Sequence, residues 1–425
     1  MGPSSRIRGA GRDTRCHRSC PRRPRPATRV TISLRQALPH SLERPTVAAS
    51  VYVVAGKATD SVTHGFLPAA ARLGLDAVLL TDRPSAHRHD GPVAACDVSD
   101  FREVIARVGD GPGGIFSNSD FLQAPAALAA AYFGLPGKDW RAATRAKNKS
   151  LMRRHLAPLD PVFSADASAV PADAPYPLVL KPREGVASED VFLVHDAREL
   201  TARREEIAAR RGGPLVAEEY LPGALHTLET LGDGHRLRVL GSFRTRVSPP
   251  PFFVEERLEW AQPPPETPQV LAQLEALGVG FGACHTEFVV HEGRARLIEV
   301  NYRLIGDHCD FLLADLLGVP LFEQILRVHL GERLEPGGPP PPGHAVAEPV
   351  IADRPGRLAA APGAVEADDG AVRVVYRPQR GVGDAIALTR TNRDYLGTIR
   401  AIGPDAAQVE AALARFRDAH TWTIA

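Results

Sequence analysis

Lysine, long apolar runs and paired cysteines are all scarce in this chain of 425 residues. No stretch approaches the roughly 18 apolar residues of a membrane-spanning helix, and the best candidate, 124–135, contains Pro125. The five cysteines are odd in number and scattered, so they predict no disulfide framework. We therefore expect no membrane partner, reduced thiols and a cytoplasmic location.

The net charge of +1 conceals two segments of opposite sign. Residues 1–49 carry a charge of +9, contain arginine but no lysine, and show no hydrophobic period. We expect them to be a disordered Arg/Pro-rich tail, or to precede the true start of the protein, because they cannot bury enough apolar surface to fold. The rest of the chain carries −8, which argues against a nucleic acid as partner.

Five of the 51 basic residues are lysine: Lys57, Lys138, Lys147, Lys149 and Lys181. Lys181 ends an apolar run that predicts a buried strand, where a compact ammonium is suited to a phosphate. Lys149 begins a helical segment. The alternative, that these lysines are simply the ones that compositional drift left, is adequate for Lys57 and Lys138.

A β-hairpin is predicted on either side of Gly293. If its loop is odd-numbered and centred on that glycine, Glu287 falls directly opposite Glu299, and Asn301 and Arg303 share the face of Glu299. Two carboxylates about 5 Å apart repel by roughly 3 kcal/mol at an effective dielectric near 20. A hard cation between them would remove that repulsion, and these oxygen ligands suit Mg²⁺ that also binds phosphate. A solvated hairpin whose acids happen to align is the alternative.

The element pattern predicts a mixed α/β protein without internal repeats. Strand, helix and strand over residues 51–82 make a βαβ unit and hence a parallel sheet. The single glycine after the first strand is too little for a dinucleotide-binding fingerprint. Further expectations are a strand ending at 115–120, helices at 125–133, 147–157, 197–210 and 406–419, strands at 176–181, 191–194, 215–221 and 372–376, and Pro-rich loops at 247–268 and 335–343.

The order of these parts resembles the ATP-grasp superfamily, and more narrowly its carboxylate–amine ligases. The resemblance is carried by Lys149, Leu-Lys181-Pro, residues 218–223, His285-Thr-Glu287 and residues 299–303. It implies an N-terminal parallel α/β domain, a central lid and a C-terminal antiparallel-sheet domain. The boundaries that follow are 1–49 for the tail, 50–140 for the N-terminal domain, 141–215 for the lid, 216–335 for the catalytic subdomain, 336–343 for a linker and 344–425 for the C-terminal subdomain.

The resemblance also assigns roles to individual positions. Lys149 and Lys181 would bind ATP phosphates under a phosphate lid at Gly185 to Ser188, with Lys181 and Arg303 as catalytic residues. The remaining roles are an adenine hinge at Glu218, Glu219, Tyr220 and Leu221, and a site for Mg²⁺, with Mn²⁺ as a possible substitute, at Glu287, Glu299 and Asn301.

Two features depart from the family pattern. The lid contains one glycine, Gly185, where several are usual, so its closure would be stiffer. No acid follows the hinge where one that binds ribose is usual. Leu225 or His226 stands there, and Glu229, further along, is the candidate for that role.

The activity that the resemblance implies is ATP-dependent phosphorylation of a carboxylate, followed by attack of an amine to form an amide. The segment 222–234 is similar to ligases of vibrioferrin-type siderophore pathways, which makes siderophore or other natural-product biosynthesis the expected role. The expected partners are small carboxylate and amine substrates, with a homodimer possible. The alternatives are an ATP-grasp phosphotransferase and a non-catalytic ATP-binding protein; the complete set Glu287, Glu299, Asn301 and Arg303 argues against the latter.

Overall fold

A computed structural model describes residues 50–338 and 341–425 of the chain. The predictions for the tail, and for positions 339 and 340 of the linker, lie outside the described residues. Within the described ranges, no helix combines the length and apolar character needed to cross a bilayer.

The N-terminal region is built on a four-stranded parallel sheet, as the βαβ pattern predicts. Alternate side chains of its first strand enter two different cores, with Val51 and Val53 on one side and Tyr52 and Val54 on the other. This explains the uninterrupted apolar run, since a parallel strand is covered on both faces. In spatial order the strands are Val93–Ala95, Asp76–Thr81, Ser50–Val54 and Gly114–Phe116. The accompanying helices are a π-helix Ser61–Phe66 that continues as Leu67–Arg72, a 3₁₀ turn Pro84–Ala86, and the α-helices Phe101–Arg107 and Gln123–Tyr132.

Two short helices, Trp140–Lys147 and Lys149–Leu156, follow in place of the single helix predicted over 147–157. The break lies at Asn148, whose backbone is extended and whose side chain accepts a hydrogen bond from the amide of Leu151 at 3.1 Å. Asparagine favours this N-cap conformation over a position inside a helix. The lysines on either side of Asn148 therefore belong to different helices.

A small antiparallel sheet follows, with strands in the order Ser164–Asp166, Leu215–Glu219, Leu178–Pro182 and Phe192–Val194. The helix Ala197–Arg210 covers it with Leu200 and Ile207, and its bounds are those predicted. Asp196 begins this helix by accepting a hydrogen bond from the amide of Glu199. The Lys181 strand therefore lies in a sheet that is separate from the hairpin sheet.

A nine-stranded antiparallel sheet forms the largest layer. Its strands, from edge to edge, are Arg294–Asn301, Phe281–His291, Ala224–Asp233, Leu237–Val247, Glu255–Ala261, His344–Ile351, Tyr395–Gly403, Val372–Pro378 and Val365–Asp369. The strand Glu255–Ala261 corrects the prediction that 247–268 is entirely loop. Its Leu258 and Trp260, two positions apart, lie on the same face of the strand and pack in the core, while the prolines lie in the flanking segments.

The main core lies between one face of the parallel sheet and the large sheet. Helices Cys309–Leu317 and Leu321–His329 fill it, and Phe322 packs edge-on against Phe66 with ring centroids 5.0 Å apart. The remaining elements are the helices Thr267–Leu277 and Ala406–Ala419, the 3₁₀ turn Asn392–Asp394, and the short strands Gly356–Ala360, Ala385–Ile386 and Thr423–Ile424. The last helix has the predicted bounds.

Candidate active site

A cavity of about 760 Å³ lies where the parallel sheet, the small sheet and the large sheet meet. It receives the carboxyl ends of the strands Ser50–Val54, Asp76–Thr81 and Gly114–Phe116, the edge at which open α/β sheets bind ligands. The cavity gathers all but one of the site residues predicted from the sequence. Those that line it are Lys149, Lys181, Gly185, Ser188, Glu218, Glu219, Tyr220, Leu221, Glu287, Glu299, Asn301 and Arg303.

The hairpin brings Glu287 directly opposite Glu299, as predicted, but by a different route. The loop is even-numbered: its two residues, Glu292 and Gly293, have φ of +49° and +74°, the signature of a type I′ turn. Such a loop alone would pair Glu287 with Ile298. A β-bulge at Ile298 adds one residue to the strand and restores the pairing of the two acids.

The bulge also places Ile298 and Glu299 side by side on the cavity wall. Asn301 lies opposite His285 on the same face of the hairpin, and its amide donates to Glu287 at 3.3 Å. The hairpin thus presents three oxygen-bearing side chains to the cavity from two adjacent strands.

Lys149 and Lys181 approach the cavity from different elements, and each meets a carboxylate. The ammonium of Lys149 lies 3.0 Å from Glu299, and that of Lys181 lies 2.7 Å from Glu218. Burial would raise the pKa of Glu299, but Lys149 and Lys147 outweigh it and hold that pKa below its ordinary value. Both lysines are at least nine-tenths buried, so their charges are little screened by solvent.

Glu218 is a counter-ion as well as part of the predicted hinge. It is 1% exposed, and Arg153 contacts the same carboxylate oxygen as Lys181, at 3.0 Å. Burial alone would raise the pKa of Glu218, yet the two cations lower it to about 2. Burial lowers the pKa of Lys181 and thus favours its neutral form, whereas the surroundings of Glu218 favour its charged form. We treat the group as charged, because one carboxylate is shared by two cations and Arg153 keeps its proton.

The rest of the hinge follows the strand Leu215–Glu219. Glu219 pairs with Arg296 at 2.7 Å, and the amide of Tyr220 donates to the carbonyl of Pro177 at 3.0 Å. Leu221 is buried at the cavity wall. These contacts fix the hinge backbone at the edge of the cavity.

Residues 185–190, here named the lid loop, form one wall of the cavity. Ala187, Ser188 and Asp190 have φ between +53° and +59°, a backbone conformation that residues other than glycine rarely adopt. The Ser188 hydroxyl donates to the carbonyl of Phe253 at 2.8 Å. Lys147, to which the sequence assigned no role, donates to the carbonyl of Gly185 at 2.7 Å and lies 4.3 Å from the centre of the Phe121 ring.

Arg303 is fixed by Asp120, a residue of the N-terminal region that the sequence gave no reason to select. The guanidinium Nε donates to Asp120 at 2.9 Å, and another nitrogen donates to the carbonyl of Leu304. Burial would lower the pKa of Arg303, but Asp120 outweighs it and raises that pKa. The two residues are 183 positions apart in the sequence, so no local pattern indicates their contact.

Glu229 is the predicted site residue that the structure does not bring to the cavity. It is 1% exposed, lies behind the cavity wall, and its carboxylate is 2.7 Å from Nδ1 of His285. Although burial opposes protonation, Glu229 and Glu287 raise the pKa of His285 to about 10. Direct contact of Glu229 with a ribose is therefore not supported by this geometry, and its evident partner is His285.

A divalent cation fits the hairpin face. Glu287 and Glu299 face each other across the hairpin, and Asn301 lies beside Glu287 on the same face. Among the described residues, no group of three or more His, Cys, Asp or Glu side chains is arranged so that it could hold a metal ion. Two carboxylates with one asparagine oxygen are an open ligand set, which suits Mg²⁺ that keeps waters and phosphate oxygens as its other ligands.

The comparisons with known proteins agree with this architecture. Residues 146–250 match the sequence family described as an ATP-grasp domain. An uncharacterized protein of Sinorhizobium fredii, y4rH, is 27% identical, with 85% of this chain and 80% of that protein covered.

Solved structures resemble nearly the whole described chain. The L-amino acid ligase of Bacillus licheniformis superposes with a TM-score of 0.74 at 21% identity, covering 89% of this chain and 99% of that one. The biotin carboxylase domain dimer of the Hydrogenobacter thermophilus 2-oxoglutarate carboxylase, solved with MgADP and bicarbonate, gives 0.65 at 16% identity, covering 88% and 90%. At these identities the likeness establishes a shared fold.

Proposed function

The chain has an ATP-grasp fold, and from this premise we propose that it is an ATP- and Mg²⁺-dependent ligase that joins a carboxylate to an amine. One observation carries the proposal: a single cavity gathers the opposed acids Glu287 and Glu299, the buried cations Lys149 and Lys181, and Arg303. Phosphoryl transfer requires this combination of a metal-binding pair and fixed positive charges, because its catalysis is mostly positioning and charge neutralisation.

The cations are the groups that would hold the phosphates of ATP. Lys181 is held in place by Glu218, and Lys149 by Glu299, so neither ammonium has to be ordered when the nucleotide binds. Tyr220 and Leu221 lie at the wall where the adenine would be held. In this proposal Arg303, whose guanidinium is held at the cavity wall by Asp120 and the carbonyl of Leu304, would contact the transferred phosphoryl group.

The metal would be held by Glu287, Glu299 and Asn301. When bound there, Mg²⁺ would neutralise phosphate oxygens and offset the repulsion between the two acids. The MgADP of the biotin carboxylase structure is consistent with this assignment.

The proposed reaction has two steps. A carboxylate oxygen of the first substrate attacks the γ-phosphorus of ATP, forming a new P–O bond while the bond to ADP breaks. The amine of the second substrate then attacks the acyl carbon, so that a C–N bond forms, the C–O bond to phosphate breaks, and the nitrogen releases a proton. Amide, ADP and phosphate are the products.

The biological setting is also a proposal. The likeness to an L-amino acid ligase makes amino acids the first substrates to test, and residues 222–234 suggest a siderophore or another natural product. Within the part of the chain that the structure describes, Cys96, Cys284 and Cys309 form no disulfide, in keeping with the cytoplasmic location that we propose.

The test is a screen of acid and amine pairs for phosphate release, with products identified by mass. A ligase releases ADP and phosphate in amounts equal to the amide, and only when both substrates are present. A phosphotransferase needs one acceptor and leaves a stable phosphorylated product.

The Glu299→Gln variant should lose most turnover while remaining folded. The matched control is Glu292→Gln, since Glu292 lies in the exposed turn of the same hairpin with 84% of its side chain accessible. Turnover by Glu299→Gln equal to that of the control, or binding of ATP without turnover of any pair, would contradict the proposal.

A further inference from the structure

A loop from the C-terminal region, residues 388–394, lies against the lid loop and forms the adjoining part of the cavity wall. We infer that this segment, here named the clasp loop, holds the lid loop closed over the cavity and so controls access to it. That the lid loop covers phosphates rests on the proposed function; that the clasp loop holds it rests on contacts alone.

Two contacts join the loops directly. The backbone amide of Asn392 donates to the carbonyl of Ala187 at 3.0 Å. Beside it, Nε of Arg393 donates to the Glu189 carboxylate at 2.6 Å. The backbone contact fixes position and the ion pair, which is partly exposed, adds a contribution that can be reversed by changing either charge.

The clasp loop is itself rigid, as such a holding element must be. The buried carboxylate of Asp394 accepts hydrogen bonds from the amides of Thr389 and Arg390, at 2.7 and 2.6 Å, and from the Thr389 hydroxyl at 2.8 Å. The hydroxyls of Thr389 and Thr391 lie 2.7 Å apart. This network keeps the loop in one conformation, although Leu388 and Arg390 have positive φ.

The clasp loop is also anchored to the large sheet. The side-chain oxygen of Asn392 accepts from the amide of Glu255 at 3.1 Å, and the Tyr395 hydroxyl donates to the carbonyl of Glu255 at 2.8 Å. Asn392 therefore binds the lid loop with its backbone and the first residue of a sheet strand with its side chain. Through this one residue the lid loop is tied to the layer that carries the proposed metal ligands.

The backbone conformation of the lid loop requires contacts from other parts of the chain to maintain it. Its three non-glycine residues with positive φ are strained, and such residues persist only where the surroundings fix them. Lys147 holds one end of the loop through Gly185, and Arg210 holds the other through Asp190 at 2.9 Å. In the middle, Ser188 donates to the carbonyl of Phe253, and the clasp loop contacts the residues on either side, Ala187 and Glu189. Release of the clasp loop should therefore leave the centre of the lid loop held by one hydrogen bond and let it open more often.

Hydrogen exchange of backbone amides 186–190 tests the inference directly, both without nucleotide and with a non-hydrolysable ATP analogue. Arg393→Ala should accelerate exchange about twofold to fivefold, the range expected for a partly exposed ion pair. Asp394→Ala should accelerate it more, because it removes the network that keeps the clasp loop rigid. Arg393→Glu should accelerate exchange more than Arg393→Ala does, because it places two negative charges side by side. Combining Glu189→Arg with Arg393→Glu restores an opposite-charge pair and should restore slow exchange.

The matched control is Arg415→Ala, which breaks a comparable exposed pair with Asp369 in the same C-terminal region, away from the lid loop. It should leave exchange at 186–190 unchanged. Unchanged exchange in Arg393→Glu, or failure of the charge exchange to restore it, would overturn the inference.

Kinetics separate this inference from the proposed function. With an identified substrate pair, the clasp variants should raise KM for ATP more than they lower kcat. If no pair is turned over but the exchange pattern holds, the proposed function fails and the clasp stands. If a substrate pair is turned over but exchange does not respond to the clasp variants, the proposed function stands and the inference about the clasp loop fails.

Discussion

Arg303 and Asp120 come from opposite layers of the molecule, and their contact fixes a guanidinium at the cavity wall. Arg303→Ala should lower kcat by about 10² to 10³ and leave ATP affinity nearly unchanged, as for the loss of one charge-stabilising donor. Asp120→Asn should cause a smaller loss, because the arginine remains but is less well positioned. Steady-state kinetics and calorimetric titration with ATP check this prediction. Weaker ATP binding with unchanged kcat would make Arg303 a ground-state clamp.

Glu218 gives a prediction about stability. The pKa of its carboxyl lies at about 2, below the ordinary 4.5, so its stabilisation is complete above pH 4.5 and is lost as the pH falls toward 2. Glu218→Gln leaves Lys181 and Arg153 buried without their carboxylate and should lower the free energy of unfolding at pH 7 by roughly 3 kcal/mol.

Urea unfolding of both proteins at a series of pH values measures this difference, which should shrink below pH 4.5. Glu256→Gln is the control, because its pair with Arg246 is exposed and should contribute little. A difference that is independent of pH would contradict the role of charge at Glu218.

At the scale of elements, the hairpin should bind its metal measurably even without turnover. Mg²⁺ with ADP should raise the melting temperature above that with ADP and EDTA by a few degrees, because ligands that bind only the folded state stabilise it. Glu299→Gln should lose this metal-dependent increment, whereas Glu292→Gln should keep it. An increment retained in full by Glu299→Gln would place the metal elsewhere.

The same hairpin shows how far the sequence could predict the structure. The pairing of Glu287 with Glu299 was predicted on the condition of an odd-numbered loop, and that condition is wrong. The pairing holds because the even-numbered loop and the bulge at Ile298 compensate each other, and neither has a strong local signal. The strand Glu255–Ala261 was missed because prolines on both sides suggested a loop, whereas its pairing with distant strands decided the outcome.

The part of the site that could not be predicted from the sequence consists of contacts between remote segments of the chain. Lys149 and Lys181 were recognisable because lysine is rare here and each begins or ends a regular element. Asp120 and Asn392 carry no such local mark, since their importance arises only when the layers assemble. The sequence therefore selected residues that, apart from Glu229, line one cavity, and it missed those that hold them from other layers.

At the scale of the whole molecule, Lys138 joins the N-terminal region to the large sheet. Its ammonium donates to Gln123 at 2.6 Å and to the carbonyl of Tyr302, and lies 4.5 Å from the centre of the Tyr302 ring. Burial lowers the pKa of Lys138 to about 7. At Lys138 the folded state thus binds fewer protons than the unfolded chain above pH 7, so this group alone adds on the order of 1.5 kcal/mol to the free energy of unfolding between pH 7 and 8.5. Glu255 and His285, whose pKa values are raised to about 8 and about 10, act in the opposite direction over the same window, so the contribution of Lys138 has to be measured as a difference between two proteins.

The free energy of unfolding of the wild type relative to that of Lys138→Met should increase by this amount between pH 7 and 8.5, which denaturant unfolding of both proteins at several pH values would detect. The window ends at 8.5 because the pKa of the buried Cys284 thiol is raised to about 12, so that it acts in the opposite direction above its ordinary value of 9. A difference between the two proteins that does not change with pH would contradict the lowered pKa of Lys138.

The contact between Arg393 and Glu189 spans 204 positions of the chain, and this distance has a consequence for synthesis. At 5 to 20 residues per second, a ribosome needs roughly 10 to 40 s to extend the chain from one partner to the other. During that interval a nascent chain has the lid loop, the Phe253 carbonyl that accepts from Ser188, and soon the hairpin acids, but it lacks the contacts that the clasp loop makes with Ala187 and Glu189. A completed cavity is therefore a property of the finished polypeptide, and a chain cut short before residue 388 would carry the ATP-grasp motifs without the part that closes over them.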